Sequence, residues 1–328
     1  MLFTTPVSIP SQPFDVSYRD VLMLIGSCFA EEVGNKLFDA KFVVDVNPAG
    51  TLYNPASVAT LLRRLMQPLP FTSDELFEHE GVYHSFAHHS RFSAFSSGEA
   101  IEVMNNRLQT SSAHLQRATR LLITWGSAFV YRLKSTGQTV SNCHKLPDAF
   151  FVREQLSVDA IVDDWEYLIK DLWALNPALK LVFTISLIRH WKDGAHGNQL
   201  SKSTLLLAAD RLQQAYPDRI AYFPAYELMM DELRDYRFYA SDMLHPSPTA
   251  VDYIWERFQG AFFTPDTRTL FTAWQEVQKA MQHRPSHPES DAYRRFIVQT
   301  LLKAEDICKK FPYFDIEKEI SRLKLNLE

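Results

Sequence analysis

The chain has 328 residues, of which 46% are hydrophobic and 22% are charged, a balance typical of a globular protein and not of a disordered one. The formal net charge of -5 gives no basic surface, so we expect no nucleic-acid partner. Three scattered cysteines exclude a disulfide framework, and no apolar run is long enough to cross a bilayer. Residues 1–20 lack the pattern of a signal peptide, so the expected location is the cytoplasm.

Short apolar runs alternate with amphipathic stretches along most of the chain. The run from Val21 to Ile25 predicts a strand, and the helical spacing of Phe29, Val33 and Leu37 predicts a helix to about Ala40. Further strands are predicted in 41–50, 121–131, 180–186 and 219–229, and further helices in 54–66, 158–177 and 200–217. This order predicts an α/β fold: a three-layer α/β/α sandwich with a parallel five-stranded sheet, as in flavodoxin-like proteins.

Two segments interrupt this alternation. Residues 71–95 are rich in histidine and aromatic residues and contain Gly81 in a predicted hairpin, so we interpret 71–100 as a small insertion beside the sheet edge. Residues 262–328 are charged and helical in pattern. We therefore expect an α/β domain over 1–261 and a C-terminal helical extension over 262–328. The extension either packs on the sheet or contributes to an oligomer, and the oligomeric state stays open.

Ligands of open α/β sheets bind at the carboxyl ends of the strands, so polar residues that follow predicted strands are candidates for a site. In chain order these residues are Ser27; Asn47, Gly50 and Asn54; Gly126, Asn142, Cys143 and His144; Ser186, Arg189 and His190; and Asp242 and His245. We expect them to converge on one rim of the sheet.

Ser27, Asp242 and His245 have the chemistry of a nucleophile, an orienting carboxylate and a base. A serine hydroxyl becomes nucleophilic when an imidazole takes its proton, and a carboxylate orients that imidazole. Asp242 and His245 are three residues apart, so one turn can present both. The N–H groups of Ser27 and Gly50 and the amide of Asn142 are candidate donors to an oxyanion. The set predicts acyl transfer.

Each of these residues also has a structural interpretation. Ser27 is a favoured helix cap, and Asp242 and His245 could cap a turn. Cys28 could itself be the nucleophile, because a helix N-terminus lowers the pKa of a thiol. The interpretation preferred from sequence is that Cys28 is a small buried side chain pointing away from the rim. Asn142 could be a turn residue.

Other polar residues are candidates for binding substrate. Arg189 and His190 could contact an anionic or polar part of it, although Arg189 could equally pair with an acid. His144 is a further candidate, and His89 is expected at the pocket mouth. The histidine-rich stretch has no acid or cysteine at zinc-like spacing, so we expect no metal and no cofactor. Its histidines are His79, His84, His88 and His89.

Several blocks of the sequence together resemble the GSCFA domain family: "GSCFAEEVGNKL", "NPAGTLYNP", "HSFAHHSRFS", "TWGSAFVY", "SNCHKLP" and "YASDMLHPS". The likeness covers roughly the first three-quarters of the chain. The family is grouped with SGNH/GDSL-type hydrolases, whose serine follows the first strand and whose Asp-x-x-His lies near the end. The resemblance implies Ser27 as nucleophile, Asp242 as orienter and His245 as base.

The sequence departs from the SGNH pattern at two places. Gly126-Ser127-Ala128 stands where these enzymes carry Gly-x-Asn-Asp, so Asn142 or Asn54 would have to supply the amide. Gly-Ser-Cys replaces the usual Gly-Asp-Ser at the nucleophile.

The expected function is that of an SGNH-type serine esterase or deacetylase. It would remove small acyl groups from a carbohydrate-like or metabolite alcohol, with a small-molecule or saccharide ester as partner and without cofactor, nucleic acid or membrane. An acyltransferase with the same triad is the nearest alternative. A non-catalytic ligand-binding protein on a hydrolase-like scaffold and a metalloenzyme centred on the histidines are the others.

Overall fold

Ten strands form three sheets within residues 4–325 and 327, the part of the chain that the computed structural model describes. In chain order they are β1 (Val21–Gly26), β2 (Val43–Val46), β3 (Leu76–His79), β4 (Val82–Ser85), β5 (Arg120–Trp125), β6 (Phe129–Leu133), β7 (Thr139–Val140), β8 (Phe151–Gln155), β9 (Lys180–Ile185) and β10 (Ile220–Phe223).

The central sheet contains five parallel strands in the order β2-β1-β5-β9-β10. Gly26 pairs with Thr124, and Thr124 pairs with Thr184, so the carboxyl ends of the three middle strands are level. The chain order reverses between β1 and β5, and such a switch point is where open α/β sheets form their ligand crevice. The predicted five-stranded parallel sheet is confirmed.

Ten helices within the same residues surround the sheets. They are α1 (Cys28–Asp39), α2 (Pro55–Met66), α3 (Ser97–Arg117), α4 (Val158–Leu175), α5 (Gly194–Ala215), α6 (Ala225–Glu227), α7 (Pro248–Phe262), α8 (Pro265–Gln282), α9 (Asp291–Lys310) and α10 (Glu317–Leu325). No helix among the described residues is both long and apolar enough to cross a membrane.

The two faces of the central sheet bury separate hydrophobic clusters, because side chains alternate along a strand. On β1, Leu22 and Leu24 pack in the cluster that contains α1 and α7, whereas Met23 and Ile25 pack in the cluster that contains α2, α3, α4 and α5. Helices therefore cover both faces, which confirms the three-layer α/β/α sandwich.

Three strands are several residues shorter than predicted, and the first is β2, which spans only Val43–Val46 of 41–50. The run 121–131 is not one strand: β5 ends at Trp125, and β6 begins at Phe129 in a separate antiparallel sheet with β7 and β8. The break occurs because the N–H groups of Gly126 and Ser127 both donate to the Tyr53 carbonyl, at 2.7 and 2.9 Å. In 219–229 only β10 is a strand, and it ends before Pro224, which has no N–H to donate to a ladder.

The predicted hairpin around Gly81 is present, as β3 and β4 pair antiparallel. Its two turn residues, Glu80 and Gly81, both have positive φ, as a two-residue turn of type I′ requires. Helix α3, which follows this hairpin, and the three-stranded sheet are additions to the predicted elements.

The C-terminal helices share the hydrophobic cluster of α1 and α7. The Trp274 indole of α8 donates to the Asp39 carbonyl at the end of α1 at 3.2 Å. Phe314 packs edge-on against Tyr18, with ring centroids 5.0 Å apart. Helices α8 to α10 therefore lie on the sheet side that α1 covers.

We expect Gly26→Ala to lower the free energy of unfolding by about 3 kcal/mol or more, because overpacking adds to backbone strain. A Cβ there would lie 2.2 Å from the Thr124 carbonyl oxygen, at a φ of +146°. Gly137→Ala is the matched control, since its φ is also positive but its Cβ would meet nothing within 4 Å; it should cost about 1 kcal/mol. Urea unfolding measures both, and equal losses would contradict the close-approach argument.

Candidate active site

A cavity of about 650 Å³ opens beyond the carboxyl ends of the middle strands, at the switch point of the sheet. Cys28 follows β1 in its wall, Ser127 follows β5, and Ile188 follows β9. Of the predicted site residues, those that line it are Asn54, His89, Asn142, Arg189, His190 and His245. Those that do not are Ser27, Gly50, His144 and Asp242, although Asp242 contacts His245 directly.

Asp242 and His245 form the carboxylate–imidazole pair that their spacing predicted. His245 Nδ1 lies 2.5 Å from Asp242 Oδ2. Asp242 Oδ1 accepts the N–H groups of Leu244 and His245, each at 2.9 Å. These bonds from the two N–H groups, together with the one from the ring, lower the pKa of Asp242 to about 2. The carboxylate is therefore ionised at neutral pH, and Nε2 remains available for proton transfer in the cavity.

The prediction that Ser27 exposes its hydroxyl at the rim is wrong. Ser27 is 0% exposed, and its Oγ is buried without a hydrogen-bond partner. It is the N-cap residue of α1, yet its side chain makes no cap bond. The turn directs this residue into the protein, because its N–H is held by the Thr124 carbonyl at 3.1 Å.

Cys28, the first residue of α1, has the cavity-lining position that was expected for Ser27. Its side chain is half-buried and lines the cavity that His245 also lines. Burial raises the pKa of the Cys28 thiol, while hydrogen bonds from the N–H groups of Phe29 and of Cys28 itself act in the opposite direction. The preferred interpretation of Cys28 as a side chain that points away from the rim is wrong. A thiol whose pKa is raised attacks a carbonyl only when a base takes its proton.

Two of the predicted oxyanion donors are already used elsewhere. The Gly50 N–H donates to the Asn47 carbonyl at 2.8 Å, and the Ser27 N–H donates to Thr124. Gly50 has a different structural role: a Cβ there would lie 2.2 Å from Cβ of His89, so its absence lets the His89 loop pack closely. Gly50 is therefore corrected from an oxyanion donor to a packing residue.

Asn54 and Asn142 supply side-chain amides at the cavity. Asn54 Oδ1 caps α2 by accepting the Ser57 N–H at 2.8 Å. Asn142 Oδ1 accepts the His144 N–H at 2.9 Å. Each oxygen is thus occupied by the backbone, which leaves the two NH₂ groups as donors on cavity-lining residues.

His144 is not a cavity residue. It is buried, and its Nε2 lies 2.8 Å from the Ser85 carbonyl oxygen, where it supports the hairpin. His84 and His88 bond to serine hydroxyls, of Ser93 at 2.7 Å and of Ser85 at 3.0 Å. Across residues 4–325 and 327, no three His, Cys, Asp or Glu side chains are grouped so as to hold a metal ion.

Three cations and one neutral imidazole line the wall near His245. Arg153 pairs with Asp193, and Lys192 lies 3.5 Å from Asp148. Arg189 donates to the Met230 sulfur at 3.0 Å. Burial, assisted by the Lys202 ammonium, lowers the pKa of His190 to about 4, so His190 is neutral at neutral pH.

Lys202 lies beneath the cavity and was not singled out from the sequence. Its side chain is fully buried, and Nζ donates to the carbonyls of Gly126 at 2.8 Å and Ser186 at 2.7 Å. It therefore ties together the chain segments that leave β5 and β9. Complete burial lowers the pKa of Lys202 to about 7, although a Cys28 thiolate would raise it.

A family model described as the GSCFA family matches residues 21–258, and one described as the GSCFA domain protein, C-terminal domain, matches residues 274–328. No curated protein sequence matches the chain significantly. A solved Clostridium thermocellum family 3 carbohydrate esterase aligns with 78% of this chain and 98% of its own, at 10% identity and a TM-score of 0.36. A Streptococcus pneumonia structure described as "a putative platelet activating factor" aligns with 77% of this chain and 85% of its own, also at 10% and 0.36.

We expect Lys202→Met to flatten the pH dependence of stability above neutrality. The unfolded chain keeps a proton on Lys202 up to its ordinary pKa of 10.5, whereas the folded chain releases it near pH 7. Stability therefore rises with pH across this window, by about 4 kcal/mol between pH 7 and pH 10 for this group. Urea unfolding at several pH values measures the effect, with the exposed Lys170→Met as control. Parallel profiles of wild type and Lys202→Met would contradict the assignment.

Proposed function

We propose that this chain, which belongs to the GSCFA family, is an acyl hydrolase in which Cys28 attacks a small ester and His245, oriented by Asp242, transfers the proton. One observation carries the proposal: a thiol at a helix N-terminus and an imidazole bonded to an ionised carboxylate line the same cavity. The reaction is that of an SGNH-type esterase or deacetylase, with sulfur in place of oxygen as the attacking atom.

In the first half-reaction, Cys28 Sγ forms a bond to the acyl carbonyl carbon while His245 Nε2 takes the thiol proton. Asp242 holds the ring by Nδ1 and stabilises the imidazolium, since its pKa of about 2 keeps it ionised. The tetrahedral intermediate collapses, the bond to the alcohol oxygen breaks, and His245 returns the proton to that oxygen. The alcohol leaves, and the acyl group remains on Cys28 as a thioester.

The negative charge of the intermediate requires donors in the cavity wall. The N–H of Cys28 belongs to the first turn of α1, where N–H groups have no intrahelical partner and the helix end is positive. The amide groups of Asn54 and Asn142 are the other donors that we assign. They take the place of the Ser27 and Gly50 N–H groups, which are bonded to carbonyls.

In the second half-reaction, His245 removes a proton from water, the resulting oxygen nucleophile attacks the thioester, and the acid leaves. The thiolate takes back the proton from His245. The cavity of about 650 Å³ has room for a small acyl group and part of an alcohol. Exposed aromatic rings of Trp191 and Tyr236 lie beside it, which suits a carbohydrate-like or metabolite alcohol.

Acyl transfer to an acceptor other than water is the second candidate. A groove of about 280 Å³ adjoins the cavity and shares Arg189, Trp191 and Leu244 with it, so an acceptor in the groove could approach the thioester. Product analysis with and without added alcohols distinguishes the two reactions, since an acceptor that competes with water yields a new ester.

We expect Cys28→Ala to reduce release of p-nitrophenol from p-nitrophenyl acetate by about 10³-fold or more, because it removes the attacking atom. Ser27→Ala should change kcat/KM by less than about threefold, since its hydroxyl is buried away from the cavity. The two variants are matched controls for each other at adjacent positions. If Ser27→Ala lost the release of p-nitrophenol and Cys28→Ala retained it, the role of nucleophile would return to Ser27.

We expect Asp242→Asn to lower kcat by about 10²-fold or more with a smaller effect on KM, because the ring loses its orienting charge. Asp252→Asn is the control, since this exposed carboxylate pairs with Lys36 on the surface. Steady-state kinetics on the same ester measure both variants. Similar kinetics in Asp242→Asn and Asp252→Asn would show that the Asp242–His245 pair is structural.

A further inference from the structure

We infer that the substrate of the Cys28 site carries an anionic group, a carboxylate or a phosphate, that binds to the guanidinium of Arg189. That the bound ligand is a substrate rests on the proposed function, but the anion site itself is argued from the surroundings of Arg189.

Arg189 differs from the other two cations of the cavity wall in having no acid partner. Arg153 pairs with Asp193, and Lys192 lies near Asp148. Among the described residues, by contrast, no carboxylate lies within 4.0 Å of the Arg189 guanidinium, although the sequence left pairing with an acid as an equal possibility. The charge of Arg189 is thus available to a ligand.

The donors of Arg189 are also incompletely used. Nη2 donates to the Met230 sulfur at 3.0 Å, and a thioether is a weak acceptor. Nε is buried and has no hydrogen-bond partner. A buried donor without a partner reduces the stability of the protein. The planar guanidinium presents paired donors that match a carboxylate or a phosphate.

The location of Arg189 connects this anion site with the proposed chemistry. Arg189 lines the cavity with Cys28 and His245, and it also lines the adjoining groove with Trp191 and Leu244. An anion bound at this shared wall is part of a ligand that extends towards the thiol. Because Arg153 and Lys192 are paired with Asp193 and Asp148, Arg189 is the cation of the cavity wall that attracts an anion, in a chain whose net charge is -5.

A binding experiment tests the anion site without requiring turnover. Phenyl phosphate, benzoate and benzyl alcohol are titrated calorimetrically into wild type, Arg189→Gln and Arg237→Gln. Arg237 is an exposed arginine near Asp235 that does not line the cavity, so its variant loses the same charge elsewhere. We expect wild type and Arg237→Gln to bind at least one anion about tenfold more tightly than benzyl alcohol, and Arg189→Gln to lose that preference.

The anion that binds more tightly, phosphate or carboxylate, shows which of the two groups the substrate carries. Equal binding of all three ligands by wild type, or an anion preference that persists in Arg189→Gln, would overturn the inference. If Arg189→Gln does not fold, as judged by circular dichroism, Arg189→Lys replaces it. This variant keeps the charge but lacks the planar fork, and it should reduce the preference at least threefold. An unchanged preference in Arg189→Lys would equally overturn the inference.

A kinetic experiment separates this inference from the proposed function. Wild type and Arg189→Gln are compared on mono-p-nitrophenyl succinate and p-nitrophenyl butyrate, and on 4-acetoxybenzoate and its methyl ester. We expect the anionic member of at least one pair to have a kcat/KM about tenfold higher in wild type, with a smaller ratio in Arg189→Gln. Anion binding at Arg189 without turnover of any ester would leave the site standing and remove the acyl chemistry. Turnover of an ester without an anion preference would leave the acyl chemistry standing and remove the anion site.

Discussion

The close approach of Gly26 to the Thr124 carbonyl determines where the proposed nucleophile lies. A Cβ at position 26 would be 2.2 Å from that oxygen, so only glycine lets β1 approach β5 this closely where β1 ends. The Gly26 N–H donates to Asn47 Oδ1 at 2.9 Å, and the next N–H, that of Ser27, donates to the Thr124 carbonyl at 3.1 Å. The chain is thus fixed on both sides for two consecutive residues, and the helix that begins with Cys28 starts at a defined point on the rim.

Beneath this rim the protein buries polar groups that a purely structural core would avoid. The hydroxyls of Ser27, Thr184 and Ser186 are buried without hydrogen-bond partners, and Lys202 donates to two carbonyls in the same region. Burying an ammonium and unpaired hydroxyls reduces stability. Such a loss of stability is typical of functional sites, which bury polar or charged groups where the stability of the fold alone would not favour them. The benefit that we assign to Lys202 is that its two hydrogen bonds hold together the segments that follow β5 and β9 at the floor of the cavity.

The sequence predicted the architecture well because the fold depends on periodicity. Alternating apolar runs and amphipathic stretches are enough to specify a parallel sheet between helices, and the Asp-x-x-His spacing was enough to predict the Asp242–His245 contact. The direction of a side chain at a strand-to-helix turn is a different problem. Neighbouring residues at the start of a helix point about 100° apart, so periodicity does not say whether Ser27 or Cys28 faces the cavity. That choice depends on hydrogen bonds to Thr124, which is 97 residues later in the chain.

Gly50 and Lys202 are two further residues whose roles sequence periodicity does not predict. Gly50 follows β2 as an oxyanion donor should, but its N–H is used by Asn47 and its missing Cβ makes room for His89. Lys202 lies in an ordinary helical pattern, and only the three-dimensional structure places it under the ends of β5 and β9. The shortened strand before Gly126 has a comparable cause, since the carbonyl that captures its N–H groups belongs to Tyr53 in another segment. Segments distant in the sequence therefore decide the position of Lys202, the end of β5 and the packing of His89 on Gly50, whereas the Gly50 N–H is used by a residue three positions earlier.

The surroundings of Cys28 explain why the mechanism that we propose assigns it a base, the Asp242–His245 pair. At many helix N-termini a thiol loses its proton because the N–H groups and the helix end stabilise the thiolate. Here burial is the larger effect and raises the pKa of Cys28, so at neutral pH the thiol retains its proton. In the mechanism that we propose, attack on a carbonyl then requires a base, and we assign that role to His245, which is bonded to Asp242 through Nδ1 and lines the same cavity. A protonated thiol is also less open to oxidation than a thiolate, which suits a nucleophile that waits for its substrate in a half-buried cavity.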